Sequence, residues 1–152
     1  MARVHEEQKM TIIIDATGLI LGRMGTYVAK QALLGEEVVI LNSEKAIITG
    51  KQDMLIAKYK VRQQRRALKL PAFTLMPDRF VKRAIRGMLP RGNFSEGGRG
   101  RQAFARIKCY IGVPSEFEGK KAETLEGASS INLKTSNYMT IGHLVKLLKG
   151  KA

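Results

Sequence analysis

Lys58, Arg62, Arg65, Arg66 and Lys69 recur at three- and four-residue intervals. Wound at 100° per residue they share an arc of roughly 100° on one side of a helix. Cations stacked this way perform no bond chemistry. They pair with anions, and a guanidinium grips a phosphate with two parallel hydrogen bonds where an ammonium offers a point charge. The surroundings carry the same sign. Between Lys51 and Lys108 lie sixteen of the chain's 27 Lys and Arg residues, against Asp53, Asp78 and Glu96 alone. That segment holds a net +13 of the formal +14. So concentrated a charge is not needed for solubility and repels itself in the folded state. A long phosphate backbone that releases counterions on binding would neutralise it. A solvated helix face is the ordinary explanation of a charge run, but no acid follows Asp53 on this helix to form i,i+4 pairs.

A second constellation points to different chemistry. Gly18, Gly22 and Gly25 follow an apolar run and open a helical pattern, and Glu44 lies past the next apolar run. Dinucleotide folds place a phosphate-cradling turn and a ribose-binding acid in this order. The spacing is wrong for G-x-G-x-x-G, with two of the glycines inside the helix. Close helix packing, or close approach of an RNA backbone, explains them equally well. Gly50-Lys51 lacks the Ser/Thr and upstream glycine of a P-loop. A nucleotide-binding enzyme using the Gly18/Gly22/Gly25 turn is the rival reading.

Remaining candidates are thin. His5 falls in a polar arm and His143 on the polar side of the last helical pattern, neither with Cys or acid at metal-ligand spacing. Cys109 sits in Ile107-Lys108-Cys109-Tyr110-Ile111 and reads as a core residue of a reducing compartment. Glu116, Glu118, Glu123 and Glu126 do not suggest paired catalytic carboxylates. No catalytic residue, metal, cofactor or small-molecule substrate is expected. Without a signal peptide or long apolar span in view, the sequence reads as soluble and intracellular, with RNA a better match than an acidic membrane.

The elements that must position these residues follow from periodicity. With 152 residues and 44% hydrophobic content the chain can bury a core, and with 6% aromatics that core is aliphatic. Residues 1–10 read as a flexible arm ahead of one domain over 11–152. Thr11–Ile14 is a strand, Leu21 to Leu34 a helix stopped by Gly35, and Val38–Leu41 a second strand, a βαβ unit with parallel strands. Ala46–Thr49 is a short third strand. A long helix from Lys51 to Lys69 docks Met54, Ala57, Val61 and Leu68 and presents the cations above. Pro77 opens the next helix, burying Phe80, Val81, Ala84, Ile85 and Met88 and exposing Arg79, Lys82, Arg83 and Arg86, until Leu89-Pro90 ends it. Arg91 to Arg101 contains Gly92, Gly97, Gly98 and Gly100 with Arg91, Arg99 and Arg101, a loop that is mobile alone and orders against phosphates. A short helix near Gln102–Arg106 precedes a strand near Lys108–Ile111 that returns beside the first. Residues 112–139 form an extended excursion, and Thr140 caps a last helix with Ile141, Leu144, Val145 and Leu148 inward.

Ile14-Asp15-Ala16 with Leu21-Gly22-Arg23, then Asn42-Ser43-Glu44-Lys45 with Thr49-Gly50-Lys51, resembles the first half of the ribosomal large-subunit protein L-thirteen family. Arg86-Gly87-Met88-Leu89-Pro90, Gly100-Arg101 and Lys108-Cys109-Tyr110-Ile111-Gly112 resemble its second half, Gly87–Pro90 most specifically. The long basic helix and Ile111–Pro114 look like the archaeal and eukaryotic branch. The bacterial aromatic pair before the first strand and the His-rich segment after Tyr59 are missing, so contacts made there are not carried over. The resemblance implies a three-layer α/β/α domain with a mostly parallel four-stranded sheet. It implies a non-catalytic component of the large subunit that binds ribosomal RNA beside other ribosomal proteins, supports assembly, and resides in cytoplasmic ribosomes. Combined with the charge pattern, the expected RNA-binding residues are Arg23, Lys51, Lys58, Arg62, Arg65, Arg66, Lys69, Arg79, Lys82, Arg83, Arg86, Arg91, Arg99, Arg101 and Arg106.

Overall fold

Val38, Val39, Ile40 and Leu41 are all buried, and the molecule is built outward from them. The computed structural model describes residues 11–64, 75–90 and 97–150. In chain order the elements are β1 (Thr11–Asp15), α1 (Leu21–Leu34), β2 (Glu37–Leu41), β3 (Ile47–Thr49), α2 (Gln52–Gln64), α3 (Pro77–Arg86), α4 (Arg99–Ala105), β4 (Ile107–Cys109), β5 (Tyr138–Thr140) and α5 (Ile141–Leu148). The fold is mixed α/β. A parallel three-stranded sheet runs in the order β1-β2-β4, and β3 pairs antiparallel with β5.

Both parallel pairings leave β2 in the middle, with Ile12 opposite Val38 on one side and Val38 opposite Ile107 on the other. β4 was expected beside β1 and lies beside β2 instead. A strand with four consecutive apolar residues needs a neighbour on each side, whereas β1 begins with exposed Thr11 and suits an edge. The outer side of β1 takes one parallel bridge from Glu123, whose N–H donates to the Ile13 carbonyl at 2.7 Å.

Alternation along the strands separates the faces. Ile12, Ile14, Val38, Ile40, Ile107 and Cys109 join the core with Met24 and Val28 of α1, Phe80, Val81 and Ile85 of α3, and Leu144 and Leu148 of α5. Ile13, Val39 and Leu41 face the other way and are covered by Tyr110, Phe117 and Ala122. The weakly hydrophobic excursion after Tyr110 thus covers the second face, with short 3-10 turns at Ser115–Phe117, Glu126–Ala128 and Ser130–Asn132.

α1 has its expected bounds. Gly35 ends it in a left-handed conformation, φ 113°, which a side chain would resist. The Thr140 hydroxyl accepts from His143 N–H at 3.3 Å and caps α5. α4 starts at Arg99, earlier than expected, so Arg99, Gly100 and Arg101 are helical rather than part of a loop. Gly100 is buried there. The expected arm at 1–10, residues 65–69 of the long helix, and residues 91–96 lie outside the described residues.

Candidate nucleic-acid interface

The docked side of α2 is not the expected one. Met54 is 68% and Val61 43% exposed, and Ala57 also faces outward. Leu55 is buried and half-buried Ile56 and Tyr59 pack on the core. An aliphatic wheel omitted the aromatic that decides the orientation. Tyr59 packs on Phe80 of α3 with ring centroids 4.9 Å apart and planes at 54°, and Leu55 lies under Gly50. Lys58 and Arg62 are nevertheless exposed, as are Lys51 and Lys60. The Arg62 guanidinium carbon stands 5.3 Å from the Tyr59 ring centroid, so one cation lies against the docking aromatic. Arg65, Arg66 and Lys69 lie outside the described residues.

α3 presents its cations as expected. Phe80, Val81 and Ile85 are buried, while Arg79, Arg83 and Arg86 are exposed and Lys82 is half-buried. Met88, expected inward, is 41% exposed, because its sulfur rests against the bare Cα of Gly25 at the molecule's edge. Lys82 Nζ lies 4.9 Å from the centroid of Phe104 and the Arg86 guanidinium carbon 5.9 Å from it, joining α3 to α4. Exposed Lys108, on the outward position of β4, and exposed Lys60 extend the basic surface. Lys60 falls outside the helix arc, and Lys108 was legible only as the polar residue of an alternating strand.

Three other expected contacts serve the fold as well. Arg106 donates to the Ala32 carbonyl at 3.2 Å and Arg99 to the Leu33 carbonyl at 3.4 Å. They satisfy the last carbonyls of α1, where a cation also suits the helix dipole. Arg23 donates to the Gly127 carbonyl at 3.3 Å. Arg101 is exposed on α4, and Arg91 lies outside the described residues.

The turn after β1 is closed rather than open to a phosphate. Ser130 N–H donates to the Gly18 carbonyl at 2.9 Å and Ile20 N–H to the Ala128 carbonyl at 2.8 Å, so the chain at 128–130 lies across it. Gly25 is buried inside α1 with the end of the Met88 side chain over it, a Cβ there standing 2.9 Å from the Met88 sulfur, so it is covered by protein rather than open to a phosphate. Gly22 is exposed. Glu44 accepts from Gly112 N–H at 3.1 Å and thereby fixes the end of β4 to the chain after β2. Asp15 accepts from Asn42 at 2.9 Å and from the Thr17 amide and hydroxyl at 3.0 and 2.7 Å. Burial pushes its carboxyl up, but these hydrogen bonds and the field of Lys45 outweigh that and hold it below the usual range. These groups organise a junction. Burial likewise pushes the Cys109 thiol up to about 12, the reverse of an activated nucleophile.

Among the described residues no three His, Cys, Asp or Glu side chains gather to hold a metal, and no helix is long and apolar enough to cross a membrane. His143 is exposed, and His5 lies outside the described residues.

Fold and surface together define a basic mixed α/β protein whose exposed cations come from several elements, and whose one nucleotide-like turn is covered by its own chain. Comparison with known proteins is specific. The family model described as Ribosomal protein L13 matches residues 9–116, and the chain belongs to that family. It is 39% identical over 140 residues to a protein of Methanococcoides burtonii named large ribosomal subunit protein uL13, covering 91% of this chain and 98% of the relative. Proteins of the same name from Archaeoglobus fulgidus and Methanocaldococcus jannaschii are 40% and 38% identical, covering 90% and 91% of this chain and 86% and 98% of theirs. The resemblance to the archaeal branch is thereby substantiated.

Proposed function

We propose that the surface formed by α2, α3, α4 and β4 binds large-subunit ribosomal RNA. As a member of the ribosomal protein L13 family, the chain is a structural component of the large ribosomal subunit rather than an enzyme, working in the cytoplasmic ribosome. The observation that carries the RNA reading is the net +13 between Lys51 and Lys108, with its described cations displayed from four successive elements. The expected RNA-binding set stands within this reading. Lys51, Lys58, Arg62, Arg79, Lys82, Arg83, Arg86 and Arg101 supply the described contacts, with Lys60 and Lys108 added. Arg65, Arg66, Lys69 and Arg91 belong to the set by sequence alone. Arg23, Arg99 and Arg106 keep further N–H groups for phosphate beyond their carbonyl bonds.

The same reading holds residues 11–152 as one RNA-binding domain with an arm at 1–10, set among neighbouring ribosomal proteins. The finer reading is a three-layer domain with a mostly parallel four-stranded sheet, and the parallel bridge from Glu123 to β1 supports its fourth strand. Crosslinking in lysate followed by sequencing of the attached RNA tests the function. Large-subunit ribosomal RNA should dominate the crosslinked fragments. A bound dinucleotide, or a set of RNAs without ribosomal enrichment, would overturn the proposal.

A further inference from the structure

Lys82 and Arg86 stand one turn apart on α3 and converge on a single ring of α4. Lys82 Nζ lies 4.9 Å and the Arg86 guanidinium carbon 5.9 Å from the centroid of Phe104. Like charges four residues apart on a helix repel, which drives their side chains apart. The negative face of an aromatic ring attracts each cation and opposes that repulsion. Phe104 is itself anchored, because it is half-buried and packs against the main core. The ring therefore ties two flexible cations to a rigid part of the molecule. The arrangement recurs on α2, where the Arg62 guanidinium carbon stands 5.3 Å from the Tyr59 centroid.

Long cationic side chains carry much rotamer freedom, and fixing them on binding costs affinity. A cation already drawn to an anchored ring has given up part of that freedom before RNA arrives. Attraction to the ring consumes no N–H donor, so the same cation can still grip a phosphate. We propose that Phe104 is a positioning residue for RNA binding, acting through Lys82 and Arg86, which it holds ready for phosphate. The proposal rests on the RNA-binding reading above. It separates Phe104 from two other roles that an aromatic on this surface could have. A ring that stacked on a base, or one that only supported the fold, would act with or without the two cations. A positioning ring acts only while the cations are there to be positioned.

The test uses the full chain and large-subunit ribosomal RNA extracted from purified subunits, followed by filter binding over a range of salt concentrations. Changing Lys82 and Arg86 together to Gln should weaken binding and flatten the slope of log affinity against log salt by about 1.4 to 1.8, the loss of two phosphate contacts. Phe104→Leu should weaken binding by about fivefold, the low end for two side chains left to be ordered on binding. Its salt slope should match wild type, because both cations still reach phosphate. Phe104→Tyr keeps the ring and should bind within about twofold of wild type. Phe104→Leu added to the chain that lacks both cations should change binding by less than about twofold, because the interaction it removes is already gone. Phe104→Met, flexible and close in volume, makes the same comparison where Phe104→Leu does not melt cooperatively. Wild-type affinity in Phe104→Leu, an equal loss with and without the two cations, or Phe104→Tyr as weak as Phe104→Leu would each overturn the proposal and leave the basic surface standing. So would wild-type binding by the chain that lacks Lys82 and Arg86. Failure of the wild type to bind the RNA, even at low salt, would overturn both readings.

Discussion

Gly25 and Gly142 both lie inside helices and both approach a neighbour closely, yet they should respond oppositely to a methyl group. A Cβ on Gly25 would meet the end of Met88, with sulfur at 2.9 Å and the terminal methyl at 3.0 Å. Met88 is flexible and 41% exposed, so it can swing toward solvent. Gly25→Ala should then be neutral or gain up to about 1 kcal/mol from helix propensity. A Cβ on Gly142 would stand 3.1 Å from the Glu44 carbonyl oxygen, which is backbone in the tight turn after β2. Overpacking costs about 1–3 kcal/mol, so Gly142→Ala should be destabilising after the propensity gain is subtracted. Urea unfolding of the two variants checks the order, and a more damaging Gly25→Ala would contradict it. The same scale shows why sequence alone cannot assign arginines. Arg99 and Arg106 look identical to phosphate contacts in a basic segment, but both satisfy α1 carbonyls, a role set by positions more than sixty residues away.

Elements with strong local signals were legible, and those that depend on distant partners were not. The Gly35 stop marked the end of α1 and the Pro77 start the beginning of α3, whereas α3 ends at Arg86, before the expected stop at Leu89-Pro90. β5 has only Tyr138–Thr140 and exists because β3 pairs with it, which no local pattern announces. α2 was legible as a helix, but its apolar residues are scattered, and the stack of Tyr59 on Phe80 sets its orientation. That arrangement makes the two faces separable. Phe80→Ala or Ile85→Ala should cost roughly 2–5 kcal/mol, because both are buried in the core. Changing Lys58, Lys60 and Arg62 together to Gln should alter stability by no more than about 1 kcal/mol, counting the loss of the Arg62–Tyr59 contact, yet weaken RNA binding clearly. Thermal melts and a binding titration on the same preparations decide it. A triple variant that melts as low as Phe80→Ala would mean that these cations support the fold.

At the scale of the whole molecule, charge and core are divided between different parts of one chain. Residues outside Lys51–Lys108 carry a net charge of only +1, yet supply β1, β2, α1 and α5 of the core. The basic segment contributes α2, α3, α4 and β4, each with one side docked and cations on the other. Such a surface is specified by composition and stands out in sequence, whereas the packing of α3 and β4 into one core does not. If the surface works by neutralising phosphates, each contact adds about −0.7 to −0.9 to the slope of log affinity against log salt. The most direct test is a salt titration of wild-type binding to a large-subunit ribosomal RNA fragment recovered by crosslinking. With about six phosphate contacts the slope should be about −4 to −5. A slope near zero would show that binding does not run through this charge, and would contradict the account at its centre.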